Sequence, residues 1–297
     1  MDIHKLVYRA MRRLRLQRAL NWNARLPNTN VAVPLLGEPL GLALFLYGES
    51  WKPEALRRIA TCVPVSMVLD VGANEGQTVL DLTKADLGQL DVLAFEPNPA
   101  CAYYLEKLIR LNGWRHVTLF PIALSDAARC VPLERASEND AGASLIPTLR
   151  PGLPIESRQV VPCFSLDQLI EAGAVQVKPS FLMKVDVEGA ELDVLRGSQR
   201  ALRSSRPFIM CEVLWAHCDE RIEFMQGRNR DLMKLLLAND YAVFRFVLTP
   251  DQRALSGVEE VSEFPSGIYS AQNAHQCDYL FVPREHSPRV SEHFARG

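Results

Sequence analysis

A row of charged side chains ends an apolar stretch near the middle of this 297-residue chain. Lys184, Asp186 and Glu188 alternate with apolar residues, which is the pattern of side chains on one face of a β-strand. Three charged groups at the mouth of a buried strand are costly unless they are paired or take part in chemistry. Glu212 ends the next apolar run, and His217 follows it closely. The sequence therefore places five polar candidates near two neighbouring strand ends.

The chemistry that such a set could perform is the removal of a proton from a reacting hydroxyl. Asp186 and Glu188 are the first candidates for the base, with Lys184 as their electrostatic partner. Glu212 and His217 are further candidates, since the ordinary pKa of histidine suits a base near neutrality. Two plainer interpretations stay open: an ion-paired strand end that shapes a pocket, and a solvated loop histidine. The carboxylates of Asp186, Glu188 and Glu212 would also suit Mg²⁺, so metal dependence stays open as well.

A second set of chemistry-bearing residues is the stretch Asp70-Val-Gly-Ala-Asn-Glu-Gly-Gln-Thr78. An apolar, β-branched run precedes it and a helical pattern follows, so we predict a turn between a parallel strand and a helix. Such a turn lets a ligand approach the backbone and the free N–H groups of the helix. A dinucleotide fingerprint needs a glycine where Asn74 stands, between Gly72 and Gly76. The carboxylate of Asp70 would instead suit the ammonium group of S-adenosylmethionine, which favours a methyltransferase over a dehydrogenase.

Two further strand ends carry polar residues that suit a nucleoside. Glu96 follows a strand-like run about 20 residues after the glycine turn, where a carboxylate can accept hydrogen bonds from both hydroxyls of a ribose. The segment Ala123-Leu-Ser-Asp126 ends the next strand and could line an adenine pocket, with Asp126 accepting from the exocyclic amine. The alternative for Asp126 is that it caps a turn.

The composition is that of an ordinary soluble globular protein. Hydrophobic residues make up 48% of the chain, charged residues make up 23%, and the net charge is −2. The near-neutral charge argues against a general nucleic-acid binder. Seven cysteines are scattered without a C-x-x-C pair, so we predict neither a zinc site nor a disulfide framework, and a reducing, cytoplasmic compartment.

The N-terminal segment differs from the rest of the chain. Residues 1–26 carry seven lysines and arginines against a single acid, interleaved with apolar residues. They predict a basic amphipathic helix that either lies on an anionic membrane, such as the inner membrane surface, or packs on the domain. Charges exclude a signal peptide, and prolines interrupt the apolar run that follows. We predict an N-terminal arm and linker over 1–44, a catalytic domain over 45–285 and a polar tail over 286–297.

Strand and helix patterns alternate along the domain, which predicts an α/β fold with a doubly wound, mostly parallel sheet. Residues 127–160 are polar and rich in proline, and we expect a long loop or short hairpin over the site. The predicted strands lie at 65–71, 92–95, 117–122, 160–164, 181–189 (with its exit), 207–213, 242–248 and 278–282.

The order of these motifs resembles the FkbM family of S-adenosylmethionine-dependent methyltransferases over residues 45–283. The blocks that carry the resemblance are Asp70-Val-Gly-Ala-Asn-Glu-Gly-Gln-Thr78, Phe95-Glu-Pro-Asn-Pro99, Ala123-Leu-Ser-Asp126, Ser165-Leu-Asp167, Lys184-Val-Asp-Val-Glu-Gly-Ala-Glu191, Val194-Leu-Arg-Gly197, Glu212-Val213 and Leu280-Phe-Val-Pro283.

The resemblance implies a seven-stranded, Rossmann-like class I methyltransferase fold. It implies methyl transfer to a hydroxyl of a small molecule or glycan of the sugar, glycolipid or polyketide type. The cofactor-binding positions that it implies are Asp70, Gly72, Ala73, Asn74, Gly76, Thr78, Glu96, Asn98, Ser125, Asp126 and Asp186.

Two other functions stay open from the sequence. One is a non-catalytic scaffold that keeps the cofactor fold, and the other is an NAD-dependent oxidoreductase using the same turn. The identity of the methyl acceptor and the oligomeric state are not specified by any motif.

Overall fold

The computed structural model describes residues 21–26, 29–36, 41, 44, 50–137, 140, 142–147, 149–152, 155, 157–270 and 272–295. The part of the predicted amphipathic helix that covers residues 1–20 lies outside this range. Among the described helices, none has the length and apolar character needed to cross a bilayer.

The described elements are named here in chain order. The strands are β1 (Asn21–Arg25), β2 (Ala32–Leu36), β3 (Met67–Val71), β4 (Asp91–Phe95), β5 (Val117–Phe120), β6 (Ala123–Leu124), β7 (Arg129–Arg135), β8 (Ser157–Phe164), β9 (Phe181–Val185), β10 (Phe208–Glu212), β11 (Tyr241–Leu248), β12 (Leu255–Glu260) and β13 (Asp278–Pro283). The α-helices are α1 (Lys52–Cys62), α2 (Gln77–Lys84), α3 (Pro99–Asn112), α4 (Leu166–Glu171), α5 (Glu191–Arg196), α6 (Gln199–Ser204), α7 (Ile222–Ala238) and α8 (Ser287–Ala295).

The central sheet has the strand order β12-β11-β13-β10-β9-β3-β4-β5. Strands β5, β4, β3, β9 and β10 are parallel, whereas β13 is antiparallel to both of its neighbours, β10 and β11. The predicted α/β fold with a mostly parallel sheet is confirmed. Seven strands form the expected arrangement, and β12 adds an eighth at the edge. The sequence did not predict β12 because only Leu255 of this strand is buried, which leaves little apolar periodicity.

Helices cover both faces of the sheet, so the central strands are apolar on both sides. Every residue of β3 is buried. One apolar layer lies under α1, α2, α3 and α8, and the other lies under α4, α5, α6 and α7. The doubly wound arrangement leaves the carboxyl edge of the parallel strands as the place where polar side chains can meet.

The N-terminal segment departs from the prediction where it is described. Residues 21–25, expected as the end of a basic helix, form strand β1 and pair with β2 in an antiparallel hairpin. Ala24 is buried between the exposed Asn23 and Arg25, which is the period of a strand and not of a helix. The side chain of Asn112 bonds both the N–H and the C=O of Ala32, at 2.8 Å each, and so fixes the hairpin to α3.

The C-terminal segment is not simply a polar tail. Residues 287–295 form α8, in which Val290 and Phe294 are buried. These two residues are four positions apart and therefore lie on the same helical face. That face packs against α1 and β12.

A hairpin occupies most of the region that was predicted as a loop or hairpin. Strand β7 pairs with β8 from Arg129↔Cys163 to Arg135↔Ser157, and β6 pairs with β8 in parallel. The connection between β7 and β8 returns to the sheet, where the hydroxyl of Ser144 donates to the C=O of Glu188 at 2.7 Å. The hairpin thus brings part of residues 136–156 to the carboxyl edge of the sheet.

Candidate active site

A cavity of about 240 Å³ opens at the carboxyl edge of the sheet. It extends from the end of β4, past β3, β9 and β10, to the start of β13, and the β7–β8 connection and the start of α1 also line it. The charged and amide side chains that line it are Lys52, Asn74, Gln77, Asp81, Glu96, Asp140, Lys184, Asp186, Glu188, Glu212 and Asp278.

The glycine turn after β3 packs directly against the exit of β9. Gly72 has a φ of +83°, and a Cβ built there would lie 1.8 Å from the carbonyl oxygen of Asp186. Only glycine is compatible with both conditions. Gly76, with a φ of +100°, immediately precedes α2. The turn therefore lies where the sequence predicted it, and the spacing of its glycines follows from close packing.

Glu96 is held by the backbone at the end of β4. Its Oε2 accepts from the N–H of Asn74 and its Oε1 accepts from the N–H of Asn98, each at 2.7 Å. Burial raises the pKa of Glu96 to about 7, even though these two hydrogen bonds lower it. Asn74 itself has a φ of +48°, which asparagine tolerates better than most residues. The structure thus joins the glycine turn to the carboxylate that was predicted to bind ribose.

Asp70 is placed differently from the prediction. Its side chain is fully buried and is not among the residues that line the cavity. Its Oδ1 accepts from the hydroxyl of Thr78 at 3.0 Å and lies 3.4 Å from Nζ of Lys184. Burial raises the pKa of Asp70, and the charge of Lys184 opposes that rise. Asp70 therefore positions Lys184 and Thr78, and it is Thr78 that lines the cavity.

Two more predicted cofactor positions lie behind the cavity wall. Ala73 is buried in the apolar layer under α2 and α3. Asn98 is the N-cap of α3, where its Oδ1 accepts from the N–H of Ala100 at 3.2 Å and from Nη1 of Arg135 at 2.8 Å. Neither side chain lines the cavity, so both support the turn and the strand end from behind.

Ser125 and Asp126 do not line the described cavity either. Asp126 forms an ion pair with Arg129 at the surface, and the hydroxyl of Ser125 accepts from Arg129 at 2.9 Å. The cavity wall in this region is apolar and comes from Ala123, Leu124 and Leu133. These apolar residues provide the wall where adenine was predicted.

Lys184 connects the turn to the carboxylates. Its Nζ donates to the carbonyl oxygen of Gly72 at 2.8 Å and lies 3.4 Å from Oδ1 of Asp70 and from Oδ2 of Asp186. Burial opposes a charged amine, but the two carboxylates outweigh it and raise the pKa of Lys184. The residue is therefore a cation, as the predicted role of electrostatic partner requires.

Asp186 and Glu212 lie close enough to affect each other's ionisation. Burial opposes ionisation of Asp186, yet the charges of Lys184 and Lys52 and the hydrogen bonds from Glu212 and Lys184 together outweigh it and lower the pKa to about 2. Burial and the charge of Asp186 instead raise the pKa of Glu212 well above its usual range. The pair therefore holds Asp186 as a carboxylate and Glu212 as an acid near neutrality.

Glu188 and His217 meet through Arg150 of the β7–β8 connection. Burial and the charge of Asp186 raise the pKa of Glu188 to about 8, although Arg150 forms an ion pair with it. Arg150 also donates from Nε to Nε2 of His217 at 3.3 Å, and burial together with this arginine lowers the pKa of His217. His217 does not line the cavity and its Nε2 already accepts a hydrogen bond, whereas Asp186 lines the cavity, so Asp186 is the better placed base candidate.

Three polar residues of the site had no signal in the sequence. Arg150 lies in a segment without a pattern, Lys52 lies in the first turn of α1, and Asp278 begins β13. Asp278 is opposite Glu212 in the register of β13 and β10. Only this pairing of distant segments brings Asp278 to the site, and no local spacing encodes it.

The sequence of the chain is similar to those of known methyltransferases. The family model described as the methyltransferase FkbM domain matches residues 70–243. The hexuronic acid methyltransferase AglP of Haloferax volcanii is 33% identical over 147 residues, which are 48% of this chain and 54% of AglP. The methyltransferase sdnD of Sordaria araneosa is 30% identical over 180 residues, which are 52% of this chain and 68% of sdnD.

A solved structure of the methyltransferase FkbM from Methylobacillus flagellatus KT also aligns with the chain. The sequence identity is 15%, the TM-score is 0.45, and the alignment covers 73% of this chain and 44% of the other. The alignment with AglP spans about half of that relative's length. With its family match over more than half of its residues, the chain belongs to the FkbM methyltransferase domain family.

Proposed function

We propose that the protein is an S-adenosylmethionine-dependent methyltransferase that methylates a hydroxyl group of a sugar-type acceptor. The observation that carries this proposal is one cavity with two chemically different ends. The part around Gly72, Asn74 and Glu96 is called the cofactor end, and the part around Asp186, Glu212 and Asp278 is called the acceptor end.

The cofactor end fits S-adenosylmethionine. The Glu96 carboxylate is buried beside the cavity, and its two backbone hydrogen bonds leave acceptor capacity for the hydroxyls of a ribose. Leu124 and Leu133 offer an apolar wall for the adenine base of the cofactor, and the surrounding carboxylates suit its positive charge. When bound, the cofactor supplies a methyl group on positively charged sulfur, which becomes a neutral thioether after transfer.

At the acceptor end, Asp186 is the residue that we assign as the base. It accepts the hydroxyl proton of the acceptor as the new C–O bond forms, so that the product is a methyl ether. Its pKa of about 2 means that its side chain is deprotonated at neutral pH, next to the charge of Lys184. Glu212, as an acid, hydrogen-bonds Asp186 and orients it. Most of the remaining rate enhancement comes from holding the two reactants in line.

A divalent cation is a further part of this proposal. Asp186, Glu188 and Glu212 each offer a carboxylate oxygen, and these three atoms lie within 4.8 Å of one another. Oxygen ligands of this kind suit Mg²⁺, which would bind by displacing the protons of Glu188 and Glu212. If Mg²⁺ is used, EDTA will abolish methyl transfer and added Mg²⁺ will restore it. Equal activity with and without the chelator would reject the metal.

One relative supports the proposed acceptor class. AglP is described as a hexuronic acid methyltransferase, which supports sugars as the first acceptors to test. The two alternatives, a non-catalytic scaffold and an NAD-dependent oxidoreductase, have no comparable support.

We also propose a cytoplasmic enzyme whose N-terminal residues contact anionic membrane. The support is the run of basic and apolar residues between Arg9 and Arg18. The full chain should sediment with vesicles that contain phosphatidylglycerol, and less so when the arginines at 9, 12, 13, 15 and 18 are changed to glutamine. Equal sedimentation of both proteins would contradict membrane contact.

The experiment that tests the enzyme proposal is calorimetric titration with S-adenosylmethionine, S-adenosylhomocysteine and NAD in turn. We expect the first two to bind in the micromolar range and the Glu96→Ala variant to lose that binding. Glu106→Ala is the matched control, because Glu106 is an exposed acid on α3 that pairs with Arg110. Binding of NAD alone would favour the oxidoreductase, and binding of none of the three would favour the scaffold.

A further inference from the structure

The acceptor end of the cavity includes two charged residues from outside the matched stretch. Lys52 and Asp278 both line the cavity, together with Asp186 and Glu212. The family model matches residues 70–243, so one of the two precedes the match and the other follows it. Neither residue takes part in the cofactor turn described above.

The direction of β13 explains why Asp278 reaches the site. Strands β9 and β10 end at the carboxyl edge, whereas β13 is antiparallel to β10 and therefore begins there. Asp278, the first residue of β13, pairs with Glu212, the last residue of β10. The N–H of Val213 donates to the C=O of Cys277 at 2.7 Å and extends this pairing by one residue beyond the strands. The backbone thus fixes Asp278 at the acceptor end.

The packing of α1 explains why Lys52 reaches the same place. Leu56 and Ile59 are buried on the sheet, and the ring of Trp51 lies 4.9 Å from that of Phe246. These contacts hold the first turn of α1 over the start of β13. Nζ of Lys52 lies 3.7 Å from Oδ1 of Asp278, and the two side chains keep 29% and 16% of their surface exposed. A ligand in the cavity can therefore reach both groups.

Resting on the function proposed above, we infer that Lys52 and Asp278 are acceptor-binding residues that recognise a hydroxyl next to the one that is methylated. An ammonium group only donates and a carboxylate only accepts, so the adjacent pair matches a hydroxyl, which does both. The charges of Lys52 and Asp278 compensate each other, so this pair favours an uncharged hydroxyl over a charged group at this position.

The test uses protein saturated with S-adenosylhomocysteine and titrated with the methyl glycosides of glucose, galactose, mannose, rhamnose, fucose and xylose. The variants are Lys52→Met, Lys52→Arg and Asp278→Asn. Lys178→Met is the matched control, because Lys178 forms a closer ion pair, 2.6 Å from Asp91, at the opposite edge of the sheet. Binding of S-adenosylhomocysteine is measured for every variant as the readout of folding and of the cofactor end.

We expect at least one glycoside to bind the wild-type complex and to bind Lys52→Met and Asp278→Asn about tenfold or more weakly. Lys52→Arg should recover most of the affinity, and Lys178→Met should not change it. S-adenosylhomocysteine should bind all variants alike. Equal glycoside binding by wild type and variants, or no glycoside binding by the loaded wild type, would overturn the inference. A protein that binds no S-adenosylhomocysteine would instead refute the proposed function itself.

Discussion

The two ends of the cavity are built from different kinds of contact. At the cofactor end, backbone N–H groups of Asn74 and Asn98 hold the single carboxylate of Glu96, and a glycine packs against a carbonyl. At the acceptor end, charged side chains hold one another, and they come from α1, β9, β10, β13 and the β7–β8 connection. Backbone contacts therefore shape the cofactor end, whereas contacts between side chains shape the acceptor end.

This difference predicts how each end responds to substitution. A site that is shaped by backbone contacts tolerates few substitutions. A side chain added at a positive φ or at a close backbone contact cannot be relieved by a neighbouring group. A side-chain site can exchange individual groups while the strands stay in place, although removing one partner leaves another charge buried without compensation. Substitutions at the cofactor end should therefore lower folding stability and cofactor affinity, whereas substitutions at the acceptor end should lower turnover.

The largest effect is expected at the acceptor end. Asp186→Asn keeps the size of the side chain but removes the proton acceptor, so turnover should fall about 10²- to 10⁴-fold. S-adenosylhomocysteine affinity should change little, because Glu96 and Asn74 are untouched. Initial rates with the best glycan acceptor and calorimetry with S-adenosylhomocysteine measure the two quantities. Unchanged turnover would remove Asp186 from the role of base.

The next effect tests the backbone character of the cofactor end. Gly72→Ala places a Cβ against the carbonyl oxygen of Asp186 at a φ of +83°, and should lower the free energy of unfolding by on the order of 3 kcal/mol. Gly173 is the matched control, because its φ is +71° and nothing lies within 4 Å of the position that an added Cβ would take. Gly173→Ala should cost about 1–2 kcal/mol. Urea unfolding curves of similar midpoint for both variants would contradict the close-packing explanation.

A smaller effect follows from the pKa of Glu96. The pKa is raised to about 7, so the group is mostly protonated at pH 6 and mostly ionised at pH 8. An ionised carboxylate accepts ribose hydroxyls better, so the affinity for S-adenosylhomocysteine should rise up to about tenfold over this interval. The rise should be absent in Glu96→Gln, which does not titrate. A parallel pH dependence in both proteins would assign the effect to another group.

The smallest effect is expected for the buried hydrogen bond between Thr78 and Asp70, which lies between the two ends. Thr78→Val removes the hydroxyl that donates to Asp70 while Lys184 continues to neutralise that carboxylate. The free energy of unfolding should fall by about 1 kcal/mol, the usual worth of one hydrogen bond. Thermal unfolding measures the change. A loss as large as that of Gly72→Ala would show that Asp70 depends on Thr78 far more than on the lysine.

The cofactor end was largely predictable because its sequence motifs are local. The glycine turn and Glu96 were located correctly, since strand, turn and helix patterns lie within a few residues of each other. Asp70 was misplaced, because alternation along a strand shows which residues share a face but not which face opens into a cavity. Ser125 and Asp126 lie outside the cavity lining, and only the structure shows that Arg129 pairs with both the buried Ser125 and the exposed Asp126.

The acceptor end was predictable only in part. Lys184, Asp186, Glu188 and Glu212 were identified because two neighbouring strands end in them. The contributions of Lys52, Asp278 and Arg150 depend on the packing of α1, the direction of β13 and the return of the β7–β8 connection. Such long-range contacts leave no periodicity in a single sequence.

The antiparallel direction of β13 has a consequence for protein engineering. The loop between β12 and β13 can change in length only if the pairing of Asp278 with Glu212 is kept. A slip of one residue would move the Asp278 side chain to the other face of the sheet and shift every apolar residue of β13 with it. A grafted loop must therefore keep Cys277, whose carbonyl oxygen accepts a hydrogen bond from the N–H of Val213. Libraries in this loop should also keep Phe264, whose ring packs against Tyr279 and Phe281 of β13, and should resume the native sequence at Cys277.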